Sequence, residues 1–197
     1  MNMEGKVTYN CLSVDGDQST NDTCILLANG RSNSKCADED PEFIAALQFV
    51  MNKIARTIAM DGEGATKLIT VEVKGAESKE DAKKVIKTII NSPLVKSAIF
   101  GSDPNYGRVM MAVGNSGAKF SLNDVHLTIK GGDMMVDILD SGAPVFQDET
   151  SVEAVRMTMD NKEVILQLDL GVGNASATGW GCDLTYDYVR INAEYAT

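Results

Sequence analysis

Glu63 stands between two glycines in the stretch DGEGATK, which runs on into the β-rich LITVEV. A carboxylate held out on a short, stiff loop can meet an amine. Two other stretches carry groups of the same kind. SVDGDQSTNDT, Ser13 to Thr23, gathers Asp15, Asp17 and Asn21, and the C-terminal INAEYAT carries Asn192 and Thr197 behind the aromatic LTYDYVRI.

Several common chemistries do not fit. A phosphate-binding loop needs Gly immediately before the Lys-Thr or Lys-Ser pair, between a strand and a helix. Here no glycine precedes Lys67, and the order is helix, turn, strand, so the helix would offer its negative C-terminal end. Counted from Asp15, a calcium loop needs Gly at position six and Glu at position twelve, where Thr20 and Leu26 stand. The plainer reading of that segment is a turn whose polar side chains bond nearby amides, packed near a site. The cysteines at 11, 24, 36 and 182 form no CxxC pair, and no metal is expected; free, buried or half-buried thiols are. The single histidine, His126, lies in the alternating DVHLTIKGG and reads as structural.

The chain of 197 residues carries 18 basic and 28 acidic side chains, a net charge of −10 that disfavours nucleic acid. Its densest basic cluster, KEDAKKVIK, is laced with acids and reads as a solvated helix face. No apolar run is read as long enough to cross a bilayer and no signal peptide is read at the start, so a cytoplasmic protein without membrane partners is expected.

The elements that would position these groups alternate first and turn strand-rich later. KVTYNCLSVDGD reads as a strand into a turn. DPEFIAALQFVMNKIARTIAMDG is the clearest helix, with Asp40 as cap, Pro41 at its first position, and Ile44, Leu47, Met51, Ile54, Ala55 and Ile58 on one face. Gly62 is expected to end it in a left-handed conformation. TKLITVEVKG is a strand, and SKEDAKKVIKTIINSP a helix opened by Ser78 and Asp81 and ended by Pro93. LVKSAIFGSD is expected as a strand, and DPNYGRVMMAVGNSG as a helix capped by Asp103. HLTIKGG, MMVDILDSG and KEVILQLDLGVGN read as strands, with a short helix opened by Thr150 and Glu153 before the last. ATGWGCDLTYDYVRINAEYAT reads as a closing strand with a polar tail. The class is α+β, one unit over 1–197, more helical over 1–117 and more strand-rich over 118–197.

Taken in order, VDGDQSTNDT, DGEGATKLITVEVKGA, KSAIFGSDPNYGRV and DLTYDYVRINAEYAT are similar to the second half of the ornithine acetyltransferases, the glutamate N-acetyltransferases of arginine biosynthesis. The resemblance spans essentially the whole chain. It implies a layered α/β sandwich like that of the self-cleaving aminopeptidases. It also implies a precursor that cuts itself before a Thr, which becomes the N-terminal nucleophile of the β chain; its own amine serves as base, so no histidine is needed. Acetyl passes from N-acetylornithine to that Thr and on to glutamate. No cofactor is implied, although some members accept acetyl-CoA as donor. The partner implied is the α chain of the same precursor, in an assembly of two α and two β chains.

Three positions match the family's substrate contacts: Glu63, which orients the substrate, and Asn192 with Thr197, the polar pair that binds its amino-acid end. Zwitterionic substrates need an acceptor for ammonium and donors for carboxylate, in line with such a set. The departures are at the other end. No cleavage motif precedes VDGDQSTNDT, and the family's Thr would stand shortly before Met1, so the nucleophile, the oxyanion donors and the α chain are expected outside this sequence and the chain alone is expected to be inactive. Ala196 and Asn115 depart from a basic and an aromatic residue.

Two other readings remain open: a free-standing module that binds an amino acid or a protein, and a self-cleaving hydrolase of the aminopeptidase type. An acetyltransferase half should expose a large apolar patch where its partner docks; a free-standing module should not.

Overall fold

The computed structural model describes residues 8–31, 40–145 and 148–194. The Asp40 side chain accepts the backbone N–H groups of Glu42 and Phe43, and Pro41 takes the first helical position, so α1 spans Pro41–Met60. There follow β1 (Leu68–Ala76), α2 (Lys79–Ile90), α3 (Pro93–Phe100) and α4 (Tyr106–Gly114). The later part holds β2 (His126–Gly131), β3 (Met134–Asp140), β4 (Ala143–Pro144), α5 (Glu149–Met159), β5 (Glu163–Asp169), β6 (Ala175–Cys182) and α6 (Tyr186–Glu194). This is an α+β fold.

The strands form one mixed sheet in the order β4-β3-β2-β5-β1-β6. β1 and β5 run parallel, Leu68 beside Glu163, while β1 and β6 run antiparallel, Leu68 beside Cys182. Alternation decides the faces. In β5, Val164, Leu166 and Leu168 are fully buried, and the residues between them are half-buried. They join Ile69, Val71 and Val73 of β1, Ile86 and Ile89 of α2, and Val155 and Met159 of α5 in the main core. On the opposite face, α1 docks through Ala55 and Ala59 on Leu68 and Trp180.

The docking of α1 is narrower than its periodicity predicts. Only Ala55 and Ala59 are buried, whereas Ile54 and Ile58 are exposed along with Phe43, Phe49 and Val50. Small side chains let the helix touch the sheet at one end, while Ile44, Leu47 and Met51 are only half-buried and Phe43, Phe49, Val50, Ile54 and Ile58 stay exposed. By length and composition alone, this 20-residue helix is apolar enough to cross a bilayer, which the sequence reading did not anticipate.

Three segments expected as strands differ from that expectation in whole or in part. LVKSAIFGSD is helical as α3, because Pro93 begins a helix instead of only ending the previous one, with the Ser92 hydroxyl accepting Val95 N–H. KVTYNCLSVDGD lies partly outside the described residues; its described part is a 3-10 turn, Tyr9–Cys11, and a single bridge from Leu12 to Trp180. The strand expected through the C-terminal aromatics stops at Cys182, and those aromatics belong to α6. Two caps also move. Asn105, not Asp103, precedes α4, and Asp103 pairs with Arg108 at 3.4 Å. Asp148 caps α5 in a capping box with Ser151.

Candidate active site

Glu63 sits in the turn between α1 and β1, and both flanking glycines are required there. Gly64 has φ +65°, and a Cβ on it would lie 2.7 Å from the Tyr188 backbone nitrogen. Gly62 is not left-handed as expected, since Asp61 is the residue that ends α1. A Cβ at position 62 would lie 2.8 Å from Cys182 Sγ, so glycine serves close approach there. The turn is therefore pressed against the end of β6 and the first turn of α6.

That approach brings Asn192 to Glu63. Asn192 Nδ2 donates to Glu63 Oε2 at 3.0 Å and to the Tyr188 carbonyl at 3.0 Å, and both side chains are exposed. Glu63 Oε1 and Asn192 Oδ1 carry no hydrogen bond among the described residues, so the pair presents acceptors outward. Thr197, the third predicted site residue, lies outside the described residues.

The 13–23 loop stands beside them. Its residues from Asp15 onward are exposed, not packed as expected, and its turns are made by Asp15 Oδ1 accepting Asp17 N–H and Ser19 Oγ accepting Asp22 N–H. Asp15 Oδ2 accepts the Tyr188 hydroxyl at 3.1 Å. Partial burial, and then that bond to a carboxylate, raise the Tyr188 phenol above its usual range. Between the loop and the α1 end lies a cleft of about 910 Å³, lined among others by Asp15, Asp17, Asp61, Glu63, Lys87 and Asn91.

Beneath this surface are groups that sequence reasoning missed. Asp183 is buried, and its carboxylate accepts Thr66 N–H at 2.8 Å, Lys67 N–H at 3.0 Å and the Thr66 hydroxyl. The Thr185 hydroxyl donates to Gly64 O at 2.7 Å and accepts Tyr188 N–H at 3.1 Å. A Thr just ahead of a helix is a readable cap signal, hidden here by the aromatic run that resembles a strand.

Lys67 points its ammonium at Ile99 O, Met159 O and Ser102 Oγ, at 2.7 to 3.0 Å, and so meets the carbonyl ends of α3 and α5. Burial lowers its pKa, against the opposing pull of Asp160 and Asp183. Lys96 is buried with its ammonium on Val14 O and Cys182 O, and desolvation lowers its pKa as well. Burial also raises the Cys182 thiol. Cys11 and Cys182 are buried free thiols; Cys24 is exposed, and Cys36 lies outside the described residues. His126 Nδ1 faces Asp140 at 3.0 Å, away from the cleft lining. No cluster of metal-ligating side chains occurs among the described residues.

Known proteins share this architecture. A crystal structure of the arginine biosynthesis bifunctional protein argJ from Bacillus halodurans superimposes with a TM-score of 0.88 at 40% identity, covering 98% of this chain and 90% of that one. The glutamate N-acetyltransferase of Methanosarcina mazei is 48% identical over 191 residues, 96% of this chain and 48% of its own length. The arginine biosynthesis bifunctional protein ArgJ of Caldanaerobacter subterraneus is 46% identical over 194 residues, 96% of this chain and 47% of its own. The chain thus spans about half the length of the curated relatives it matches. The ArgJ family profile matches residues 2–197, and the chain belongs to the ArgJ family.

Proposed function

We propose that this chain is the substrate-orienting part of an N-acetyltransferase that moves acetyl from N-acetylornithine to glutamate through an acetyl-threonine intermediate. The observation that carries the reading is the Asn192–Glu63 pair, joined at 3.0 Å, with Glu63 lining an acidic cleft. With both Asn192 Nδ2 hydrogens engaged, the outward groups are acceptors, which suit an ammonium. N-acetylornithine, acylated on its α-nitrogen, keeps one cation, the side-chain ammonium, and Glu63 receives it. Thr197 is assigned to the same substrate.

The nucleophile is assigned to a threonine outside the residues of this chain. Its oxygen attacks the acetyl carbonyl, the amide C–N bond breaks, and ornithine leaves with the proton. The amine of glutamate then attacks the ester, and the threonine hydroxyl is regenerated. Acetyl-CoA is a second donor to be assayed.

The proposed partner is the remaining half of the family's length, the α chain of a common precursor, in an α2β2 assembly in the cytoplasm. The uncovered residues of α1, with Phe49 70% exposed, and the exposed Ile25, Leu26 and Leu27 favour this over a free-standing binding module. The test is acetyl transfer from N-acetylornithine to glutamate. The 197-residue chain alone should give none, and addition of the remaining half should produce it. Turnover by the chain alone, or none by the assembly, overturns the reading.

A further inference from the structure

We infer that Thr185, supported by Asp183, is the positioning residue that builds the Glu63–Asn192 pair. The inference rests on the reading of that pair as a substrate contact. Neither residue reaches the outward acceptors, and both are more than nine-tenths buried. The buried Thr185 hydroxyl bonds to both halves of the site. It donates to the carbonyl of Gly64, next to Glu63, and it accepts the Tyr188 N–H, one turn before Asn192 on α6. Asp183 fixes the same loop one step further on, through Thr66 and Lys67. The Asp183 N–H closes the link by donating to Lys67 O at 3.1 Å.

The backbone explains why a relay is needed. Glu63 follows the end of α1, whose nearest buried anchors are Ala55 and Ala59, and Asn192 sits on a helix with no buried residue. Neither side chain is held by packing of its own element. The connection between β6 and α6 therefore determines where the two meet, and a hydroxyl with one donor and two acceptor sites can serve both.

Three substitutions separate positioning from helix capping. Thr185→Ser keeps the hydroxyl. Thr185→Val removes both bonds. Thr185→Asp still caps α6, because a carboxylate accepts Tyr188 N–H, but it cannot donate to Gly64 O. The direct readout is the ¹⁵N–¹H resonance of the Asn192 carboxamide in the 197-residue chain, compared with and without Glu63→Gln. In the parent and in Thr185→Ser, Glu63→Gln should shift that resonance. In Thr185→Val and Thr185→Asp it should not. In the assembled enzyme, Thr185→Asp should raise KM for N-acetylornithine about tenfold while kcat falls less, and Thr185→Ser should stay within about twofold of the parent. An Asn192 resonance that still responds to Glu63→Gln in Thr185→Asp overturns the inference. So does an unchanged KM in that variant. An assembled parent that transfers no acetyl overturns the functional reading instead, and the resonance comparison still decides the role of Thr185.

Discussion

Asn192 and Glu63 are 129 positions apart in the chain and 3.0 Å apart in space. Both are exposed, so their meeting owes nothing to burial of the two side chains. It follows from the close approach of the Gly62–Gly64 turn to β6 and α6. Placing the cation of N-acetylornithine on this pair makes the Glu63 charge worth measuring by itself.

Glu63→Gln keeps the shape and an acceptor oxygen but removes the charge. A charge-assisted hydrogen bond exceeds a neutral one by about 1–2 kcal/mol, which converts to roughly a 5- to 30-fold rise in KM for N-acetylornithine. The chain's melting temperature should hardly move, because the group is exposed. Steady-state kinetics of the assembled enzyme against donor concentration checks this. An unchanged KM would remove Glu63 from the substrate.

Gly64→Ala tests the approach itself. The residue has φ +65°, and its Cβ would meet backbone atoms of Asp187 and Tyr188, which cannot swing aside as a side chain can. Left-handed strain alone costs about 1–3 kcal/mol, and the clash adds to it. Urea unfolding of the chain should show at least that loss, together with displacement of α6 from the turn. A variant as stable as the parent would show that the turn is free to move.

The parts of this architecture that were legible in the sequence have strong periodicity or a strong cap. Asp40-Pro41 announces α1, Ser78 with Asp81 announces α2, and the alternation of VILQL announces β5. The class was legible too, and Glu63 and Asn192, both singled out by residue type and setting, lie within hydrogen-bond distance of each other. What was hidden has physical causes. Pro93 serves as a stop for one helix and a start for the next, so α3 was lost. The aromatic and β-branched TYDYV has strand composition, but Thr185 caps it into a helix. The apolar face of α1 does not predict its own burial, because docking is decided by where two alanines fit the sheet. Lys67 does not serve a phosphate, as the missing glycine and the helix-turn-strand order indicate, but nothing in its local sequence shows that its cation meets the carbonyl ends of two helices.

Lys67 also predicts a pH dependence. Its folded-state pKa is lowered by burial, so between that value and about 10.4 the unfolded chain holds a proton that the folded chain has released. In that window the unfolded state binds more protons, and this group's contribution to stability rises with pH. Below the window both states are protonated, and the added stability is absent. The difference in unfolding free energy between the parent and Lys67→Met should therefore move in favour of the parent as pH rises toward 10.4. Urea titrations at matched ionic strength measure it, and a difference that stays flat or falls would contradict the lowered pKa.

The core carries a plainer expectation. Leu166 is fully buried in β5 and packs within the main cluster. Leu166→Ala should cost about 2–5 kcal/mol through lost burial and the cavity left behind. A loss below about 1 kcal/mol would mean that the sheet and helices close over the gap.

The uncovered face of α1 gives the test that separates assembly from stability. Phe49 and Ile54 are 70% and 44% exposed and neither belongs to a core cluster, so replacing both with Glu should alter the chain's stability by no more than about 1 kcal/mol in all. If the rest of the family's length docks on this face, a buried, unpaired carboxylate at either position costs several kcal/mol in the complex. Sedimentation of the chain mixed with the remaining half should then show association with the parent sequence and loss of it with Phe49→Glu and Ile54→Glu combined, while the melting temperatures of the two free chains stay close. Undiminished association would place the partner elsewhere, and a fall in the free chain's stability would show that α1 holds its own fold together through these residues.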